Sequence, residues 1–110
     1  MSNASREPNI DLSSHDWEEV KRILKKCLPG CEVWAFGSRA KWKAKPYSDL
    51  DLAVISEQPL PIATMAELRE SFDESDLTIK VDVVDWATAS ARFRKIIEGN
   101  KVVLQRCGEK

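Results

Sequence analysis

Two hydrophobic periods alternate along the chain. Trp17, Val20, Ile23, Leu24, Cys27 and Leu28 recur at three- and four-residue spacing, with Lys21, Arg22, Lys25 and Lys26 on the other side. This predicts a helix capped by Ser13 or Ser14, with Asp16, Glu18 and Glu19 near its positive end and Pro29-Gly30 stopping it. Cys31 to Phe36 (CEVWAF) is short, β-prone and closed by Gly37, so it reads as a largely buried strand. Residues 38 to about 44 predict a helical turn that Pro46 ends, and Leu50 to Ser56 a second strand. After Pro59 and Pro61, the positions Ile62, Met65, Leu68, Arg69 and Phe72 predict a helix to about Ser75. Leu77 to Asp85 (LTIKVDVVD) alternates with period two, as a strand does. Ala91, Phe93, Ile96 and Ile97 place a helix from about Thr88 to Glu98, and Val102 to Leu104 offer a last strand or an apolar closing segment.

Helices and strands in this order imply one mixed α/β (α+β) layer structure. At 110 residues, roughly two-thirds of the unfolded surface can be buried in one core without staples. Residues 1–12 are polar and patternless and predict a flexible N-terminal tail ahead of a domain at 13–107. No run nears the ~20 apolar residues of a membrane span. Three cysteines without a CxxC pair argue against a disulfide framework or a zinc site and for a reducing cytoplasm.

Net charge is −1, which excludes a global field for nucleic acid or acidic membrane. Positive charge is local: Arg39, Lys41, Lys43 and Lys45 alternate within GSRAKWKAKPYSDLD, residues 37–51, and suit a small anionic ligand. The same stretch ends in two aspartates inside an otherwise apolar strand. Asp49 and Asp51 point to one side of that strand, with Cα atoms about 6.6 Å apart. Poorly solvated, they would repel by roughly 2–3 kcal/mol at an effective dielectric near 20. A hard divalent cation such as Mg²⁺ offsets that cost, and it commonly shares its site with substrate phosphates. In the later strand Asp82 faces away from Val81 and Val83, so it is the favoured third carboxylate. Asp85 is the rival, at a position better suited to capping. Gly37 lets the backbone turn sharply and lets an anion approach. The following amides and the Ser38 hydroxyl can then receive phosphate oxygens, while Arg39 and Lys43 share one side of the turn and could hold a polyphosphate tail. Trp42 has three readings: base stacking, core cover or partner contact.

Gly37-Ser38, ten residues, then Asp49-Leu50-Asp51, with Asp82 in a later strand, resembles the signature of the DNA-polymerase-β-like nucleotidyltransferases. The run FGSRAKWKAKPYSDLDLAVI and the tail VDVVDWATASARFRKIIEGNKVVL are most similar to the minimal nucleotidyltransferases (MNT), antitoxin-type partners of helical HEPN proteins. The resemblance covers residues 13 to about 105. It implies a palm-like small mixed sheet with helices packed on it. It implies that Asp49 and Asp51 bind two Mg²⁺ ions and that Asp82 binds the one that activates an acceptor hydroxyl. Gly37 and Ser38 would hold the triphosphate of ATP or another NTP. With residues 13–105 used up by the palm, the acceptor is expected on another protein. For this family that is a HEPN toxin silenced by transfer of AMP to a hydroxyl. A vestigial nucleotide site on a module that blocks the toxin by contact alone is the alternative. Such relatives often carry glycine where this chain has Trp42.

Overall fold

The computed structural model describes residues 8–107. The predicted helical stripe becomes helix α1 (Ser14–Cys27), capped by Ser13, whose Oγ accepts from the Asp16 amide at 3.1 Å. Strands β1 (Glu32–Phe36) and β2 (Leu50–Ile55) pair antiparallel, and helix α2 (Ile62–Asp73) crosses over to β3 (Val81–Asp85), which lies parallel to β2. A single 3-10 turn at Trp86–Thr88 leads into α3 (Ala91–Gly99), and β4 (Val102–Gln105) returns antiparallel to β1. The sheet order is β3-β2-β1-β4. This is the mixed, helix-covered sheet expected from the alternation of periods. Val102 to Leu104 form a strand rather than a loose closing segment.

The two faces of the sheet are separated by strand parity. Val33, Ala35, Leu50, Leu52, Val54 and Val83 face α1 and α2, meeting Val20, Ile23, Leu24, Leu68 and Phe72 in the larger core. Trp34, Phe36 and Ala53 face the other way and are covered by Ile97 and Phe93 of α3. Asp51 has the parity of Ala53, and Asp82 that of Val84. Both therefore stand on the α3 side, beyond the larger core.

Two differences from the sequence reading matter for the site. First, β3 begins at Val81 rather than Leu77, because residues 77–80 bend to meet α1. There the buried Asp16 carboxylate accepts from the Thr78 amide at 3.1 Å and from its hydroxyl at 2.5 Å. This fixes where β3 enters the sheet. Second, the segment expected to be a tail is packed from about residue 9 onward; residues 1–7 lie outside the described chain. Ile10 is only 5% exposed and belongs to the larger core, and the Asp11 amide donates to the Arg39 carbonyl at 3.0 Å. Ile10 and Leu12, which also packs against that core, are too few in a polar stretch to set a period, so their packing leaves no sequence pattern. Ile10→Ala is expected to lower the unfolding free energy by about 2 kcal/mol or more, as core truncations do. Urea denaturation checks this, since a residue of a loose tail would shift the midpoint negligibly.

Candidate active site

β1 ends at Phe36, which pairs with Asp51 of β2, and the chain then turns at Gly37 with φ 79°. That left-handed conformation favours glycine. Space requires it as well: a Cβ at Gly37 would collide with the Asp51 carboxylate. The Gly37 backbone and the Asp51 side chain thus form one wall. After Gly37, its carbonyl accepts from the Ala40 and Lys41 amides at 3.1 Å each, and the Ser38 carbonyl accepts from the Lys43 amide at 2.9 Å. This is the short helical turn the sequence predicts, with Ser38 half-buried at its start.

The acidic residues are brought together by strand register. In the parallel β2–β3 pair Asp51 lies directly opposite Asp82, so their side chains rise from the same face of neighbouring strands, about 4.8 Å apart along the hydrogen-bonding direction. Asp49 precedes β2 with the same parity; Leu50 extends the ladder by donating to the Lys80 carbonyl at 2.9 Å. Asp49 and Asp82 are exposed and Asp51 is half-buried. Burial, and then the charges of Asp82 and Asp49, push the Asp51 carboxyl above its usual range. Among the described residues no three His, Cys, Asp or Glu side chains are arranged, as they stand, to hold a metal ion. Free carboxylates of like charge turn apart when they can, and Asp49 and Asp82 have solvent in which to do so. As a donor set, three carboxylates on one face beside the Gly37 turn fit a hard divalent cation.

Asp85, the rival third carboxylate, is occupied otherwise. Its side chain accepts from the Leu60 amide at 2.9 Å and from the Ala87 amide at 3.2 Å, capping the turn after β3. Lys43 is exposed on the connection. Arg39 departs from the expected phosphate-binding position. It is 7% exposed, and its guanidinium donates to the carbonyls of Asp11, Lys45, Pro46 and Ser48 at 2.8–3.2 Å. Polarity made Arg39 look like a ligand group, whereas its partners span residues that no local pattern connects. Trp42 takes φ 59°, and its indole donates to the Asn9 side chain at 3.0 Å while the ring stays 56% exposed. Exposure excludes the core-cover reading. Asn9, Asp11 and Ser48 were not candidates from the sequence, and only the structure shows them bracing this loop. A cavity of about 460 Å³, bordered by Tyr47, Phe72, Leu77, Ile79 and Lys80, opens beside Asp49.

The sequence model of the polymerase beta nucleotidyltransferase family matches residues 18–108. A Haemophilus influenzae protein named as a probable protein adenylyltransferase, MntA, is 53% identical over 96 residues, covering 87% of this chain and 84% of that one. Among solved structures, a toxin–antitoxin complex with AMP-PNP superposes with a TM-score of 0.69 at 23% identity, covering 84% of this chain and 75% of that chain. The complex of a tri-AMPylated Shewanella oneidensis HEPN toxin with its MNT antitoxin gives 0.63 at 21% identity, covering 86% and 73%. These structural likenesses establish a shared fold.

The raised Asp51 pKa sets the sign of a pH effect. The folded chain holds that proton more tightly than the unfolded chain does, so the ionised form costs stability above the folded pKa. The cost fades as pH falls toward the unfolded value near ~3.9. In metal-free protein Asp51→Asn is therefore expected to raise Tm by a few degrees at pH 7, with the gain shrinking toward pH 4. Thermal melts across that range check it; a lower Tm at pH 7 would contradict it.

Proposed function

Because the chain belongs to the polymerase beta nucleotidyltransferase family, we propose that it transfers AMP from ATP to a hydroxyl of a partner protein. The partner in this reading is a HEPN-type toxin, and the chain acts as its antitoxin in the cytoplasm. The observation that carries the reading is the register match of Asp51 with Asp82, beside Asp49 and against the Gly37 turn. A near relative named as a protein adenylyltransferase, at 53% identity, supports the choice of AMP and of a protein acceptor. The toxin–antitoxin complexes that share the fold support the kind of partner.

The residues divide the work by chemistry. Asp49 and Asp51 would hold two Mg²⁺ ions, and Asp82 would share the one on the acceptor side. Bound magnesium supplies positive charge that lowers the acceptor hydroxyl's pKa and stabilises the departing pyrophosphate. Gly37, lacking a Cβ, lets the Asp51 carboxylate pack against the backbone of the turn that would receive the phosphate oxygens. Ser38 offers a hydroxyl and the start of a helical turn, where backbone N–H groups have no partner inside the turn. Lys43, exposed on the same connection, neutralises the outer phosphates. In the transfer the acceptor oxygen bonds to the α-phosphorus, the bond from that phosphorus to the bridging oxygen breaks, and pyrophosphate leaves. The hydroxyl proton passes to water or to a carboxylate.

The test incubates the full chain with α-labelled ATP, Mg²⁺ and a candidate HEPN partner protein, with Asp49→Asn/Asp51→Asn as control. Label on the HEPN protein from wild type, reduced at least a hundredfold with the control, is the expected result. A tight complex without label, formed equally by both chains, would replace the enzyme with a module that neutralises its partner by binding alone.

A further inference from the structure

The sequence places Arg39 beside Ser38, where a guanidinium would meet phosphates. In the structure it is turned inward, with all three of its nitrogens hydrogen-bonded. Nε donates to the Ser48 carbonyl at 3.0 Å, Nη1 to Asp11 at 2.8 Å, and Nη2 to Lys45 and Pro46 at 3.2 and 3.1 Å. The Arg39 carbonyl in turn accepts from the Asp11 amide at 3.0 Å, so residues 11 and 39 are tied in both directions. None of these guanidinium partners is a carboxylate, and a buried positive charge held by carbonyl dipoles alone is costly to keep. Its partners explain where the benefit falls. Three of the four carbonyls belong to the four residues directly before Asp49, and the Ser48 carbonyl is part of the peptide that carries the Asp49 nitrogen. At its own backbone Arg39 adjoins Ser38 and the Gly37 turn.

We propose that Arg39 is a positioning residue whose buried guanidinium holds the 45–48 bend, and so sets the Asp49 carboxylate relative to Asp51 and the Gly37–Ser38 turn. The inference rests on the reading of these carboxylates as the metal-binding set. The planar fork is what the position needs: three nitrogens reach four carbonyls spread over residues 11–48, which the single nitrogen of lysine cannot do. The connection it braces has few other internal ties. The Lys45 amide donates to the Ser48 hydroxyl and the Ser48 amide to the Lys45 carbonyl, both at 2.9 Å, while the indole of Trp42 reaches Asn9 at the surface.

The test compares wild type, Arg39→Lys and Gln105→Ala as full chains, without nucleotide. Gln105 is buried at the opposite edge of the sheet, where its amide donates to the Leu28 and Cys31 carbonyls at 2.7 and 2.8 Å, so its loss lowers stability far from the carboxylates. Mn²⁺ affinity is read by electron paramagnetic resonance, and amide hydrogen exchange is read in metal-free protein. Arg39→Lys is expected to weaken Mn²⁺ binding roughly tenfold, as loss of a group orienting metal ligands commonly does. Amides at 43–49 should exchange about tenfold faster while those of the sheet keep their protection. Gln105→Ala should bind Mn²⁺ like wild type. If Arg39→Lys does not fold, Arg39→Gln carries the same two readings. Wild-type Mn²⁺ affinity and wild-type exchange at 43–49 in the variant would overturn the proposal, as would equal loss of Mn²⁺ in Gln105→Ala. Absence of Mn²⁺ binding by wild type would instead sink the metal-site reading, and the exchange at 43–49 would still decide whether Arg39 holds the bend.

Discussion

Setting Asp51 and Asp82 opposite each other on parallel strands raises two like charges from one face of strands about 4.8 Å apart, with a third carboxylate preceding one of them. Like charges rooted on neighbouring strands repel unless solvent or a cation screens them. The fold cannot relieve that repulsion by slipping register. Leu50, Leu52 and Val54 alternate with Asp51, and a shift of one residue would drive the acids into the larger core. The apolar face therefore fixes the acids on the other face, where burial and then the charges of Asp82 and Asp49 raise the proton affinity of Asp51. A bound divalent cation would offset this repulsion, which is the physical basis of the metal-assisted transfer proposed for this site.

The rest of the molecule is organised around keeping that face in place. Asp16 fixes the approach to β3 through Thr78, and with it the register of Asp82. Gly37 closes the other wall, since any side chain there would meet the Asp51 carboxylate. The ten residues between Gly37-Ser38 and Asp49 contain no glycine, and their course is set by the inward-turned Arg39 side chain and by residues 9–11. A segment that looks dispensable in the sequence is thus part of the site's support. Trp42 marks the tension in this loop: it adopts a backbone conformation natural to glycine, and an indole hydrogen bond to Asn9 accompanies it.

Much of this was legible in advance. The period-2 and period-3.6 patterns located the helices and strands, and parity alone separated Asp82 from Val81 and Val83. The capping role of Asp85 followed from its place at a strand end before a turn. What stayed hidden was long-range. Strand order and the parallel pairing that joins Asp51 to Asp82 are not written in local spacing, and the resemblance implied only a palm-like mixed sheet. The packing of Ile10 and the inward turn of Arg39 depend on contacts 28 residues apart in sequence for the Asp11–Arg39 pair. A basic side chain beside a Gly-Ser step looks the same whether it binds a ligand or braces a loop. Only the carbonyls around it distinguish the two.

The central claim is that three acids from two neighbouring strands and the segment preceding one of them converge on cations next to the Gly37 turn. Anomalous scattering from crystals grown with Mn²⁺ and a non-hydrolysable ATP analogue tests it directly. The account predicts metal peaks bridging Asp49, Asp51 and Asp82, with the triphosphate lying along residues 37 and 38. Peaks elsewhere on the molecule, or a nucleotide bound away from that turn, would contradict it.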